Sequence, residues 1–266
     1  VNKEKVLSTG TVKAKDEALI VPTMEWSIKG NYIQKSAMMI LEIIANNNWE
    51  RPIYFVSPYG DSDVGLADYL QHDGFAYRLV PIKSVAPDFL SIGRIDTDLL
   101  YEKLINKFRW GRMNEPDVFI DHNNQRTAMV LKIRNTFNRL AEKLIVEGKK
   151  DSAINVLNKV YDLMPHEKYP YDFFMIGIAE NYYKLNKTER ANEILKKYND
   201  ITVQKLKYYS SLGSRFDGYF DYDFRVNIQT LSELSGIAAI YNQTALQNEI
   251  DNGINLFINK YSSRRN

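Results

Sequence analysis

A spacing of apolar and small residues that begins at Phe137 constrains the fold of this 266-residue chain more than any other feature. Phe137, Leu140, Ala141 and Leu144 fall on one face of a helix. Ala153, Leu157 and Val160 fall on one face of a second, and Pro165 closes the unit. Met175, Ile178, Ala179, Tyr182, Ala191, Leu195 and Tyr198 repeat the pattern 38 residues later. A helical pair patterned in this way cannot bury its apolar face alone. It must stack on neighbours, and the stack leaves a concave, partner-binding surface.

These are the spacings of a tetratricopeptide repeat, a helix-turn-helix of about 34 residues. The pattern predicts helices over 125–147 and 150–163, over 171–185 and 188–199, and a degenerate third pair over 224–241 and 244–261. Gly148 supplies the turn after the first helix, where a left-handed backbone is easiest for glycine. Asp151 sits in the first turn of the next helix, where the macrodipole favours a carboxylate. Ala141 and Ala153 let the paired helices approach closely. The residues added between the repeats, around 166–170, belong to the connecting loop.

The region before the repeats has a different rhythm. Met24, Trp26 and Ile28 alternate with polar residues, as in a strand. Ile33, Ala37, Ile40, Leu41 and Ile44 lie on one stripe of a helix over 32–45. The run 53–56 between Pro52 and Pro58 reads as a short buried strand, 64–71 as a short helix stopped by Gly74, and 75–80 as a third strand. Residues 84–94 read as a loop, and Asp96 or Thr97 caps a helix reaching about Phe108. If the first two strands are neighbours, their crossover should be right-handed. The expected fold is α+β, mostly α. A small N-terminal α/β domain, about three strands covered by helices, occupies 1–122, and tetratricopeptide-like helical hairpins, about three pairs, occupy 123–266.

Composition narrows the function. Charge is nearly balanced, with 35 Lys and Arg against 33 Asp and Glu, and the two signs are interspersed. This argues against a nucleic-acid surface. The absence of cysteine rules out disulfides, thiolate catalysis and cysteine zinc sites. No apolar run approaches a membrane span. The opening Val1-Asn2-Lys3-Glu4-Lys5 is neither an initiator methionine nor a signal peptide. It reads as a piece of a longer protein, with a processed mature chain as the alternative.

The catalytic inventory by motif is empty, and neither a cofactor nor a metal site is expected. His72, His122 and His166 have no ligand-spaced partners. Asp61-Ser62-Asp63-Val64-Gly65 resembles the start of a calcium loop, but His72 stands where the twelfth-position glutamate belongs. Asp61 or Asp63 is better read as a helix cap. Four aromatic or basic positions are candidate contacts: Trp49 and Arg51 leading into the first buried run, Arg78, and Trp110. Arg51 has either an anion to hold bidentately or a structural partner in Glu42 or Asp68. Asp217, Asp221 and Asp223 interleave with Phe216, Tyr219, Phe220, Tyr222 and Phe224. Carboxylates beside rings suit a sugar or peptide groove; the alternative is an inter-helix connection whose rings close the end of the solenoid. The surplus of tyrosine, 18 residues, has the same two readings, amphipathic contacts or compositional bias.

Several stretches, taken in order, resemble the soluble C-terminal region of the DUF2723 family. They are 46–55 with Trp49, Arg51 and Pro52, then 65–70, 77–82, 107–111 with 116–118, and 141–150. The family's members are large polytopic membrane proteins similar to protein O-mannosyltransferases, with a GT-C-type multi-span region that uses a lipid-linked sugar donor. The resemblance implies an extracytoplasmic, periplasmic accessory domain tethered to that membrane region. It implies a protein partner or acceptor polypeptide, or a glycan, as ligand. The family's catalytic acids lie in loops between the first spans, so none maps onto a position here. Carboxylates near 217–223 or 61–68 acting on a glycan form the enzymatic alternative, and a purely structural role is the third.

Overall fold

The computed structural model describes residues 1–28, 30–57, 64–121 and 129–265, apart from the side chains of Ser214, Asp217 and 260–265. The fold is α+β and mostly α: a small antiparallel sheet near the N-terminus, followed by a helical region. Two compact units divide the chain, Val1–Arg109 and Trp110–Asn266. The boundary expected at 122/123 falls in 122–128, outside the described residues. Residues 110–121 group with the second unit. The Trp110 ring tilts against Phe137 at 5.4 Å, and Met113 O accepts a hydrogen bond from Tyr169 Oη at 2.8 Å.

In the first unit, helix α1 (Lys3–Ser8) is capped by the Asn2 side chain. Helix α2 (Lys35–Asn47) leads to β1 (Tyr54–Phe55). Strands β2 (Leu70–His72) and β3 (Tyr77–Leu79) form a hairpin through Gly74 and Phe75. The sheet order is β1-β3-β2, antiparallel throughout. The crossover rule for parallel neighbours therefore has nothing to act on. The strand expected at 24–28 is irregular backbone instead, because a side chain supplies its hydrogen bonds. Glu25 N–H donates to Tyr69 Oη at 3.0 Å, and that hydroxyl donates to Glu25 O at 3.1 Å. The helix expected at 64–71 is reduced to a single 3-10 turn, Ala67–Tyr69. Beyond it the chain enters β2, whose outer edge is paired through Arg94 N to Leu70 O and His72 N to Arg94 O, both 2.9 Å. The run at 53–56 yields only two strand residues, on the sheet edge, with Val56 exposed. Phe55, Leu66, Tyr69, Leu70 and Leu79 form the core, with Ala37, Ile40, Leu41 and Ile44 of α2 packed on it.

The N-terminal arm, for which sequence patterning gives no element, is stitched on by charge. Arg94 pairs with Asp16 at 3.0 Å and with Gln71 Oε1 at 2.9 Å. Asp96 caps helix α3 (Thr97–Tyr101), which continues as a π-helical turn over Glu102–Lys107. Its carboxylate also meets Lys13 at 3.3 Å and Lys15 at 3.5 Å. Burial alone would raise the Asp96 carboxyl; the Leu99 N–H and the two ammonium groups outweigh it and hold the group below the ordinary aspartate value. A depressed carboxyl stabilises the fold above its unfolded pKa of about 3.9 and loses that contribution as pH falls through the lower folded value. In urea titrations, the stability gap between wild type and Asp96→Asn is expected to be full near neutrality and to close on acidification below about pH 4. A gap independent of pH would remove the charge from the account.

The second unit is three helical hairpins: α4 (Leu131–Val146) with α5 (Lys150–Leu163), α6 (Phe174–Lys184) with α7 (Thr188–Ser211), and α8 (Asp217–Ile240) with α9 (Thr244–Arg265). The first helices pack as one layer, α4 on α6 and α6 on α8, while α7 meets α9 in the other. Each hairpin turns on the same cap. Gly148, Asn186 and Asn242 have φ of 76°, 59° and 57°. The next residue's N–H returns to Leu144, Tyr182 and Ala238 carbonyls at 2.9, 2.9 and 2.8 Å. This is the Schellman arrangement, which tolerates Gly and Asn best. The third repeat is spaced further along the chain because α7 and α8 have 24 residues each. Its seam is also polar: Ser235 Oγ donates to Asp251 at 2.6 Å, where the second repeat has Ala179 and Leu195.

Candidate functional site

The densest cluster of ligand-type residues in the sequence, 216–224, lies on the first turns of α8 and the residue before it. Residues one helical turn apart share a face, so Tyr219 and Tyr222 stand together. They are 80% and 73% exposed. Tyr208, near the end of α7, is also exposed, at 58%. Tyr209 bridges the two helices: its ring lies 5.8 Å from that of Tyr208 and stacks on Phe220 at 5.3 Å. Burial, followed by the nearby Asp223 charge, raises the Tyr209 hydroxyl above its usual range, so it remains a donor at neutral pH. Asp221 is held by Arg225 Nη2 at 2.9 Å, one turn on. The Asp217 side chain lies outside the described ones. The result is an aromatic platform edged by Asp221, Asp223 and Arg225, on a helix rather than in a connection.

Other tyrosines have a different task. Tyr169, Tyr171, Tyr182, Tyr183 and Tyr198 are buried in the helical unit. Their hydroxyls find partners, as in Tyr182 to Asn158 at 3.0 Å and Tyr183 to Asn192 at 2.5 Å. Burial pushes the Tyr183 and Tyr198 phenols up to about 12. A shallow groove of about 430 Å³ lies between α7 and the α8–α9 turn, with Asn192, Lys196, Gln243 and Glu249 in its wall. The Asn192 and Gln243 amides bond each other at 2.8 Å.

The remaining candidates do not converge on this platform. Trp49 is half-buried and packs against both apolar clusters of the first unit, at a φ of 61°. The Arg51 side chain is exposed and its backbone is clasped by Asn47 at 2.8 and 3.3 Å. Among the described residues it forms no ion pair with Glu42 or Asp68. Arg78 is on the central strand and donates to Gly10 O at 3.3 Å. Trp110 serves the packing on Phe137. His122 and the calcium-like stretch at Asp61 and Asp63 lie outside the described residues. Among the described residues, no three His, Asp or Glu side chains are grouped to hold a metal, and no helix is long and apolar enough to cross a membrane.

Two charged centres escape pattern reading because their members are far apart in sequence. Asp73, almost fully buried, accepts from Lys103 Nζ at 2.5 Å and from Tyr54 Oη at 2.9 Å. Arg134, 1% exposed, donates from α4 to Tyr169 O, Pro170 O and Asp172 Oδ2 at 2.8, 2.9 and 2.5 Å. Each joins separate chain segments, and in Arg134 the two Nη atoms carry all three bonds while Nε is buried without a partner among the described residues. A lone arginine inside an otherwise apolar helix face was the one available signal for the second.

Residues 1–99 match a family model described as TMEM260-associated domain 2. Neither the curated proteins nor the solved structures show a significant match to this chain. The similarity to TMEM260-associated domain 2 thus covers most of the first unit and ends inside α3.

Proposed function

We propose that the chain is a non-catalytic, extracytoplasmic accessory module of a membrane-embedded, glycosyltransferase-like protein. The helical unit holds an acceptor polypeptide or a protein partner, and the first unit packs toward the membrane region. The observation that carries this reading is the exposed tyrosine pair of α8, Tyr219 and Tyr222, on a stack of helical hairpins. Exposed tyrosines supply large contact area at little entropic cost and are enriched in binding hot spots. The resemblance to DUF2723 proteins supports the membrane tether and the periplasmic side. Holding an acceptor beside a membrane active site raises its local concentration without any chemistry in the module.

An attached glycan fits the same platform, since rings stack on the apolar faces of sugars while Asp221 and Asp223 accept hydroxyl hydrogen bonds. The enzymatic alternative would use those carboxylates in proton transfer. Asp221 is neutralised by Arg225 on an open helix face, which suits recognition.

The test is retention of the intact chain on an array of peptides with and without O-linked hexose. Tyr219→Ala and Tyr222→Ala should each weaken capture about tenfold or more, as loss of a ring at a hot spot does. Equal capture by wild type and both variants would sink the platform, and turnover of the hexosylated peptides would favour the enzyme.

A further inference from the structure

Helix α2 is apolar around most of its circumference. Ala37, Met38, Met39, Ile40, Leu41, Ile43, Ile44 and Ala45 are among its 13 residues, yet none of them is buried. The inner face, Ala37, Ile40, Leu41 and Ile44, rests half-buried on the sheet. The outer face presents Met38 and Met39, both 59% exposed, and Ile43, 57% exposed. A helix that is apolar on all sides is normally enclosed, and a contiguous exposed apolar patch marks a contact surface. Thioether side chains adapt well to a facing surface.

Two charges frame this face. Lys35 and Glu42 are seven positions apart, hence on the same side of the helix about two turns, or roughly 10 Å, from each other. Both are exposed, and neither is paired with another charge among the described residues. The Asn46 amide donates to Glu42 Oε1 at 2.7 Å and holds the carboxylate outward-lying on the helix.

We infer that two copies of the chain associate through this face, α2 against α2, antiparallel about a two-fold axis between Met38 and Met39. That axis sets Lys35 of each copy opposite Glu42 of the partner subunit, and symmetry makes the pair twice. Met38 and Met39 fill the seam between the two ion pairs, and Ile43 extends the apolar contact just beyond them at each end. Parallel pairing would instead set lysine on lysine and glutamate on glutamate. An anionic membrane surface calls for several cations around the apolar face, and the described residues of α2 offer one. A helix about 20 Å long buries less than a standard interface, so the dimer is weak.

Sedimentation equilibrium of the intact chain, from micromolar to millimolar, reads this directly. Wild type should move from monomer to dimer with concentration, and Met39→Glu should remain monomeric. Lys35→Glu and Glu42→Lys should each weaken association about tenfold, since every reversal puts two like-charged pairs in the seam. The double variant Lys35→Glu/Glu42→Lys should restore the wild-type constant. Circular dichroism keeps the variants comparable, because all three positions are exposed. A chain that stays monomeric throughout overturns the inference, as does a double variant no stronger than the single ones. Flotation with phosphatidylcholine vesicles that is lost in Met39→Glu, without self-association in solution, would give the face to a lipid surface instead.

Discussion

Replacing Arg134 by methionine is expected to destabilise the helical unit by about 3–5 kcal/mol, the cost of removing one partner from a buried ion pair. The guanidinium is enclosed, and its two Nη atoms reach Tyr169 O, Pro170 O and the Asp172 carboxylate. Without it, two carbonyls and a carboxylate lose their donor in a place that water reaches poorly. The consequences spread along the chain. Asp172 Oδ1 also accepts from Phe174 N–H at 2.9 Å and so caps the start of α6. Tyr169, oriented by the same contact, carries its hydroxyl to Met113 O. The loop between the first two hairpins is therefore set by one side chain of α4. A lysine cannot serve three acceptors in a planar fork, so Arg134→Lys should recover only part of the loss. Asp172→Asn keeps a hydrogen-bonding cap and should cost less than the loss of Arg134. Urea unfolding followed by circular dichroism gives the values, and hydrogen exchange locates them in 165–185. A shift below about 1 kcal/mol for Arg134→Met would mean that water replaces the lost bonds.

The helical half was legible because its signals are local and repeated. Ala141, Ala153, Ala179 and Ala191 mark close helix contacts, and Gly148 marks the cap; all four alanines are fully buried. The second and third caps carry Asn186 and Asn242, which also accept the left-handed backbone. Charged and hydrogen-bonded ties were not legible. Arg134 and Asp172, or Asp73 and Lys103, meet only after the chain has folded, and no spacing rule connects them. The first unit was legible in part. Helix α2 and strand β3 follow their periodicity. Strand β2 is three residues long and buried on both faces, so it shows no alternation to read. Helix α1, six residues, is shorter than two turns and leaves no stripe. At the platform, residue types pointed to Tyr219, Asp221 and Tyr222, but whether the rings lay on a helix or in a connection depended on α8 starting early. Three aspartates and Gly218 argue locally for a loop, whereas packing of Phe224 in the core extends the helix over them.

In the first unit the largest single-site effect is expected at Gly65. A methyl group added there would lie 2.4 Å from Ser27 O and 3.3 Å from Ser27 C, so the opposing backbone must move. The position also has a φ of +83°, and Val64 before it has 47°, a conformation that a β-branched residue rarely adopts. Val64 is nevertheless buried in the core, which holds the turn in place. Gly65→Ala should therefore add a steric cost of about 1–3 kcal/mol to the roughly 1–2 kcal/mol of a left-handed alanine. Gly10→Ala separates the two contributions. Gly10 has a similar φ of +65°, and nothing lies within 4 Å of its added methyl, so only the backbone component is lost there. Thermal unfolding of the two variants of the intact chain should rank Gly65→Ala well below Gly10→Ala, with hydrogen exchange loosening 24–28 in the first alone. If the two variants match, segment 24–28 yields freely, and its anchor is the Tyr69 hydroxyl on Glu25 rather than the close backbone approach at Gly65. Tyr69→Phe would then be the variant that frees it.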